Sequence, residues 1–132
     1  MGIQEDSLVK DTRPVNLDIA TIKLPITAYA SILHRISGVF LFVAIGVMIY
    51  ALDLSLSSAE GFASIAVMLD SLPAKMVVWA VLAGLIYHSV AGVKHLIMDM
   101  GYGETYEGGV LGSRITFLVS AVMIALAGLW IW

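Results

Sequence analysis

The sequence predicts an all-α membrane protein with three transmembrane helices, and three observations carry that prediction. Mean hydropathy is +0.96. Only 13% of the 132 residues are charged while 60% are apolar, too little charge to cover the surface of a soluble domain this size. The apolar residues also gather into three runs, each long enough with its flanks to cross ~30 Å of hydrocarbon at ~1.5 Å per residue.

The elements follow in order. Residues 1–23 are polar and are expected as a cytoplasmic N-terminal segment. Glu5, Asp6 and Asp11 there fit neither a cleavable signal peptide nor an arginine-rich transit peptide, so a bacterial inner membrane is the expected location. The first span is expected over about 24–53, with Pro25 in its opening turn and an uncharged core from Ile36 to Leu52. Residues 57–70 read as a short helix on the outer membrane surface, with Ser57 and Glu60 at capping-box spacing. The second span is expected over about 72–99 around the run Met76 to Val93, with Pro73 in its first turn. The third is expected over about 110–132, where Ile115 to Trp132 carries no charge. No internal repeat or linker interrupts this single domain.

Basic residues set the expected orientation. Lys10, Arg13, Lys23 and Arg35 precede or open the first span, and Lys94 and Arg114 flank the second loop. The first loop has Lys75 against Asp53, Glu60 and Asp70. The N-terminus is therefore expected in the cytoplasm and the C-terminus in the periplasm. Tyr50, Trp79, Trp130 and Trp132 then fall at the outer interface, where aromatic belts sit. Some function classes drop out. A net charge of -3 offers no basic patch for nucleic acid, and the absence of cysteine removes disulfides, thiolate metal sites and cysteine-bound clusters.

The informative residues are the few polar ones at membrane depth. On the second span Gly84, His88, Gly92, His95 and Asp99 share about 80° of arc. His88 lies roughly 9 Å inside the membrane from Lys94. A flat, bulky haem needs a neutral imidazole nitrogen and open backbone beside it, and glycine one turn to each side of His88 suits that. The plainer alternative is a histidine bonded to a neighbouring helix, with glycines that only admit the helix. His95 and Lys94 sit nearer the interface, as partners for haem propionates or simply in contact with phospholipid. On the first span Ser31, His34, Arg35 and Gly38 share about 100° of arc. A guanidinium there calls for an anion, a dipole or a water-lined cavity. With Ser31 one turn away it suits a small carbonyl-bearing ligand that gains electrons, or it snorkels to lipid phosphate. Met98 and Met100 are ordinary filler, and Tyr29, Tyr102 and Tyr106 read as interfacial.

Three segments carry a resemblance: Arg13-Pro14-Val15-Asn16-Leu17-Asp18, then Ser31-Ile32-Leu33-His34-Arg35-Ile36-Ser37-Gly38, then His88-Ser89-Val90-Ala91-Gly92-Val93-Lys94-His95 with Asp99. In this order and spacing the chain closely resembles the cytochrome b subunits of succinate dehydrogenase, from about Arg13 to Trp132. The resemblance implies a larger machine, in which a flavoprotein oxidises succinate, an iron–sulfur subunit carries the electrons, and two small subunits anchor both. This chain would be half of that heterodimeric helical anchor and would carry no succinate-oxidising site itself. His88 would be one axial ligand of haem b, with the second histidine from the other anchor subunit. His34 would lie near a haem propionate, with His95 and Lys94 also expected at the haem, and Ser31 and Arg35 would line the ubiquinone pocket. Two alternatives stand beside this reading. One is a fumarate reductase anchor working with menaquinol; the other is a small proton- or ion-conducting subunit using His34, Arg35, His88 and Asp99 as a relay.

Overall fold

A computed structural model describes residues 21–132. Lys10, Arg13, the Arg13–Asp18 segment and most of the N-terminal stretch lie outside the described residues. The rest forms four helices and, among the described residues, no strand: α1 (Ile26–Ser57), α2 (Ala59–Asp70), α3 (Leu72–Asp99) and α4 (Tyr106–Ile131). Three of them, α1, α3 and α4, are long and apolar enough to cross a membrane.

Local chemistry explains where each helix begins and ends. Pro25 is extended at the head of α1, and its carbonyl accepts from the Ala28 and Tyr29 amides at 3.0 and 3.3 Å. The helix runs past Asp53 to Ser57, whose hydroxyl donates back to the Leu54 carbonyl at 2.7 Å. Ser57 is therefore not free to cap the next helix. Ser58 caps α2 instead, accepting from the Gly61 amide at 2.9 Å, one residue later than the capping-box spacing suggests. At the end of α3, Gly101 adopts φ +88°, a left-handed conformation that glycine takes without strain. The Tyr102 amide then reaches the Ile97 carbonyl at 3.2 Å and the Gly101 amide reaches Met98 at 2.8 Å, which closes the helix. Thr105 caps α4 by accepting from the Gly108 amide at 3.1 Å.

Helix α3 packs against both α1 and α4, which also touch each other. What lies buried between them is small: Ala30, Ala44 and Ala91, with Ser37, Ser113, Thr116 and Ser120. The large side chains point outward, with Phe42 at 81% and Trp130 at 82% exposure. That inversion suits a bilayer. Lipid tails are as apolar as leucine, so burying leucine between helices gains little, and small residues that let backbones approach make the contacts. The chain is a multi-pass α-helical membrane protein. At the end of the bundle away from the α3–α4 loop, the Trp79 indole N–H donates to the Ile124 carbonyl at 3.0 Å and meets Trp132 edge-on at 6.1 Å.

A polar cluster between the first and third helices as candidate functional site

The three histidines, scattered over 61 positions from His34 to His95, come together between α1 and α3. His34 and His88 stack with ring centroids 4.1 Å apart and planes 13° from parallel. His95 lies 5.2 Å from His34, tilted by 47°. His34 is thus the middle ring of a row.

His88 is held by one nitrogen. Its Nδ1 lies 3.1 Å from the His34 carbonyl oxygen and 3.1 Å from Ser37 Oγ. A carbonyl can only accept, so Nδ1 carries the proton. The Ser37 hydroxyl donates to the same carbonyl at 2.8 Å, leaving its oxygen to receive part of the imidazole N–H. The network thereby assigns a proton to Nδ1, so a neutral ring here would keep its lone pair on Nε2. That Nε2 has no hydrogen-bond partner among the described residues and is not enclosed. In contrast, His34 Nε2 is buried and without a partner.

The glycines around these rings admit α1. A Cβ on Gly38 would lie 3.1 Å from His88 Cε1, so a bare backbone there gives the ring its place. A Cβ on Gly84 would come within 2.8 Å of Phe40 Cδ1, and one on Gly92 would lie 3.7 Å from His34 Nε2. The opening expected above and below His88 is therefore filled by side chains of α1, which crosses closely because these residues have none.

Ser31 and Arg35 form a pair of their own. Arg35 Nη2 donates to Ser31 Oγ at 3.2 Å and Nε to the Ser31 carbonyl at 3.4 Å. The guanidinium is exposed, and no carboxylate pairs with it among the described residues. Both groups face out of this chain, on the α1 surface next to the histidine row. Lys94 is not part of this assembly. Although adjacent to His95, it turns to α4, where Nζ donates to Ser113 Oγ at 3.3 Å. Asp99 ends α3 as an exposed residue.

Two residues given no role in the sequence reading matter here. Ser37 is three positions after His34, a spacing that places it on a neighbouring strip of the same helix. Tyr87 joins all three spans: its hydroxyl donates to the Ala30 carbonyl at 2.9 Å and its ring stacks on Phe117 at 5.8 Å. Its position beside His88 on an apolar helix was the available signal, since a phenol at that depth needs an acceptor.

Three apolar spans with an imidazole row and an exposed guanidinium at one end define a helical membrane protein with a polar cluster at one end of its bundle. Comparison with known proteins makes the class specific. The family described as succinate dehydrogenase/fumarate reductase transmembrane subunit matches residues 9–129, and the chain belongs to that family. It is 40% identical over 121 residues to the succinate dehydrogenase cytochrome b556 subunit of Coxiella burnetii, covering 91% of this chain and 97% of the relative. The subunit of the same name from Rickettsia felis is 33% identical over 72% of this chain and 73% of its own length. That from Paracoccus denitrificans is 28% identical over 89% and 90%.

Proposed function

We propose that this chain is a membrane anchor subunit of succinate dehydrogenase that supplies one axial ligand to haem b and one wall of the ubiquinone-reduction site. The observation that carries this reading is the His88 ring. Its Nδ1–H is committed to a backbone carbonyl, while Nε2 has no partner among the described residues and is not enclosed. Metal-ligating histidines are held in this manner, the second nitrogen fixing the tautomer and the ring plane. His34 fits the same group. It is the middle ring of the row beside His88, near which a haem propionate would lie, with His95 alongside. When bound, haem b supplies a one-electron acceptor within the anchor. His88 gives one ligand; as the resemblance implies, the second histidine would come from the other anchor subunit, and electrons from succinate through the flavoprotein and iron–sulfur subunits.

Ser31 and Arg35 are the groups this chain offers to ubiquinone. The guanidinium would stabilise negative charge gathering on a quinone oxygen. Ser31 accepts from Arg35, so its own proton is available for a quinone carbonyl. The site opens at the end of the bundle near the α3–α4 loop, on the cytoplasmic side in the orientation that the basic residues favour. Protons would then enter from cytoplasmic water. Within a bacterial inner membrane, that places the pocket beside a docked soluble subunit.

The deciding experiment is a reduced-minus-oxidised absorbance spectrum of the assembly carrying His88→Ala. The haem b bands should vanish while the subunits still copurify. A native b spectrum in that variant refutes the ligation. Rates with ubiquinone and with a low-potential menaquinone distinguish this reading from a fumarate reductase anchor.

A further inference from the structure

We propose that the groove between α3 and α4 at their loop end binds an anionic phospholipid, its phosphate on Lys94 and an acyl chain along the groove. The proposal stands apart from the haem reading, because Lys94 turns to α4 while the histidine row packs against α1.

Lys94 is a part-buried cation with no anionic partner among the described residues. Its Nζ donates to Ser113 Oγ at 3.3 Å, and Ser113 is fully buried with its own proton given to the Gly109 carbonyl at 2.8 Å. An ammonium has three donors, so two are left over. The one side-chain ion pair among the described residues joins Lys75 to Asp70, far along the chain. A part-buried ammonium near the membrane interface, with donors to spare, attracts an anionic headgroup.

The lysine is also fixed in place. Its stem lies across Gly112, where a Cβ would sit 3.3 Å from Lys94 Cε and 3.6 Å from Cγ. A larger residue at 112 would push the stem away, so the glycine seats the ammonium at the groove. The groove itself is a cavity of about 420 Å³ whose walls include Val90, Val93, Ile97, Leu111 and Ile115. The Thr116 hydroxyl that borders it is already bonded to the Gly112 carbonyl at 2.9 Å. From Lys94 down to Val90 and Thr116 the walls thus offer nothing polar to a ligand. A fixed positive charge beside an apolar trough matches an amphiphile with an anionic head and a hydrocarbon tail.

The test uses the assembled complex in a neutral detergent, depleted of lipid and titrated with dioleoyl phosphatidylglycerol or dioleoyl phosphatidylcholine. Native mass spectrometry counts the lipid retained. The wild type should hold one phosphatidylglycerol at least tenfold more tightly than phosphatidylcholine. Lys94→Gln should lose that preference and Lys94→Arg should keep it. Arg114→Gln, at the same end of α4 but outside the groove, should also keep it. Leu111→Trp fills the trough while leaving the lysine, and should expel the lipid; it decides the matter if Lys94→Gln does not assemble. Equal retention in Lys94→Gln or Leu111→Trp, or equal affinity for both lipids, overturns the proposal. So does a Lys94→Gln variant that alters the haem spectrum or releases a partner subunit with lipid binding intact, since the lysine's anion would then be a propionate or a partner carboxylate.

Discussion

Helix α3 meets its two neighbours in different ways. Against α4, hydroxyls are mostly satisfied within their own helix: Ser113 donates to Gly109 and Thr116 to Gly112, each one turn back. Against α1, the bonds cross between helices, from Tyr87 to Ala30 and from His88 to His34 and Ser37. The α1 side also leaves the buried His34 Nε2 without a partner. A seam whose polar groups are self-satisfied serves packing, and nothing is lost if it stays dry. A seam that keeps unmatched donors and acceptors at membrane depth is expensive unless another molecule completes it. The α4 side has its own exceptions: Trp79 and Lys94 bond across it to the Ile124 carbonyl and to Ser113, Lys94 keeps donors to spare, and Ser120 is unmatched. Its buried hydroxyl has no partner and borders the apolar groove shared by all three spans.

The contrast can be broken by substitution, and the largest effect is expected at Arg35. Arg35→Leu removes the charge that the proposed quinone site would use but touches neither seam. Ubiquinone reduction should fall roughly a hundredfold, the scale of losing one donor to a developing oxyanion. Succinate oxidation with an artificial acceptor should stay near wild type. Equal loss of both rates would mean failed assembly and would return Arg35 to a topological role.

A sharper comparison pairs two serines, one from each seam. Ser37→Ala removes one of the two oxygens facing His88 Nδ1. Loss of such an outer hydrogen bond costs on the order of tenfold or more in metal-site affinity. Haem retention on dilution should weaken accordingly, and the haem midpoint potential should move. Ser113→Ala alters a hydroxyl on the α4 seam and should leave the potential unchanged. If the two variants behave alike, the α1 seam has no special tie to the haem.

Steric substitutions come next. Gly84→Ala would place a methyl 2.8 Å from Phe40 Cδ1, so α1 must shift or the ring must turn. Overpacking of this kind costs about 1–3 kcal/mol. Thermal unfolding of the assembly should show it, and Phe40→Leu in the same chain should recover most of the loss. Gly46→Ala provides the control, because nothing lies within 4 Å of that Cβ and the helix should if anything be stabilised. A neutral Gly84→Ala would show that α1 and α3 are looser than their geometry indicates.

Much of this was legible in the sequence because the bilayer imposes simple rules. Long uncharged runs between Pro25 and Trp132 announce the three spans, since every backbone group must bond within its own helix. The faces joining Ser31 with Arg35 and His88 with His95 follow from helical period alone. Period cannot say which neighbour a face meets. Gly84 and Gly92 read equally well as room for a ligand and as room for a helix, and α1 occupies both. Lys94 and His95 are adjacent in sequence yet serve opposite seams, because one residue turns a helix by about 100°. The capping of α2 moved from Ser57 to Ser58 on a choice between two hydroxyls that spacing does not decide.

The smallest effect is expected where a charge pair looks most regular. Asp70 and Lys75 meet at 2.8 Å at the corner between α2 and α3. The Lys75 ammonium, by its hydrogen bond and then by its charge, holds the Asp70 carboxyl below its ordinary value. A lowered acid stabilises the fold at pH above its unfolded value of about 3.9, and that contribution disappears as pH falls through the lowered value. Yet the carboxylate side chain is 84% exposed, and water and salt screen such a pair to little effect. The corner has its own support, since the Ser71 amide bonds the Met68 carbonyl at 3.1 Å and the Lys75 amide bonds Ser71 at 3.0 Å. Asp70→Asn should therefore leave the unfolding temperature at pH 7 within about one degree of wild type, a shift far below that of a buried substitution. Any difference should shrink toward pH 3. A larger loss at pH 7, sensitive to salt, would mean that this corner depends on its charges more than on its backbone.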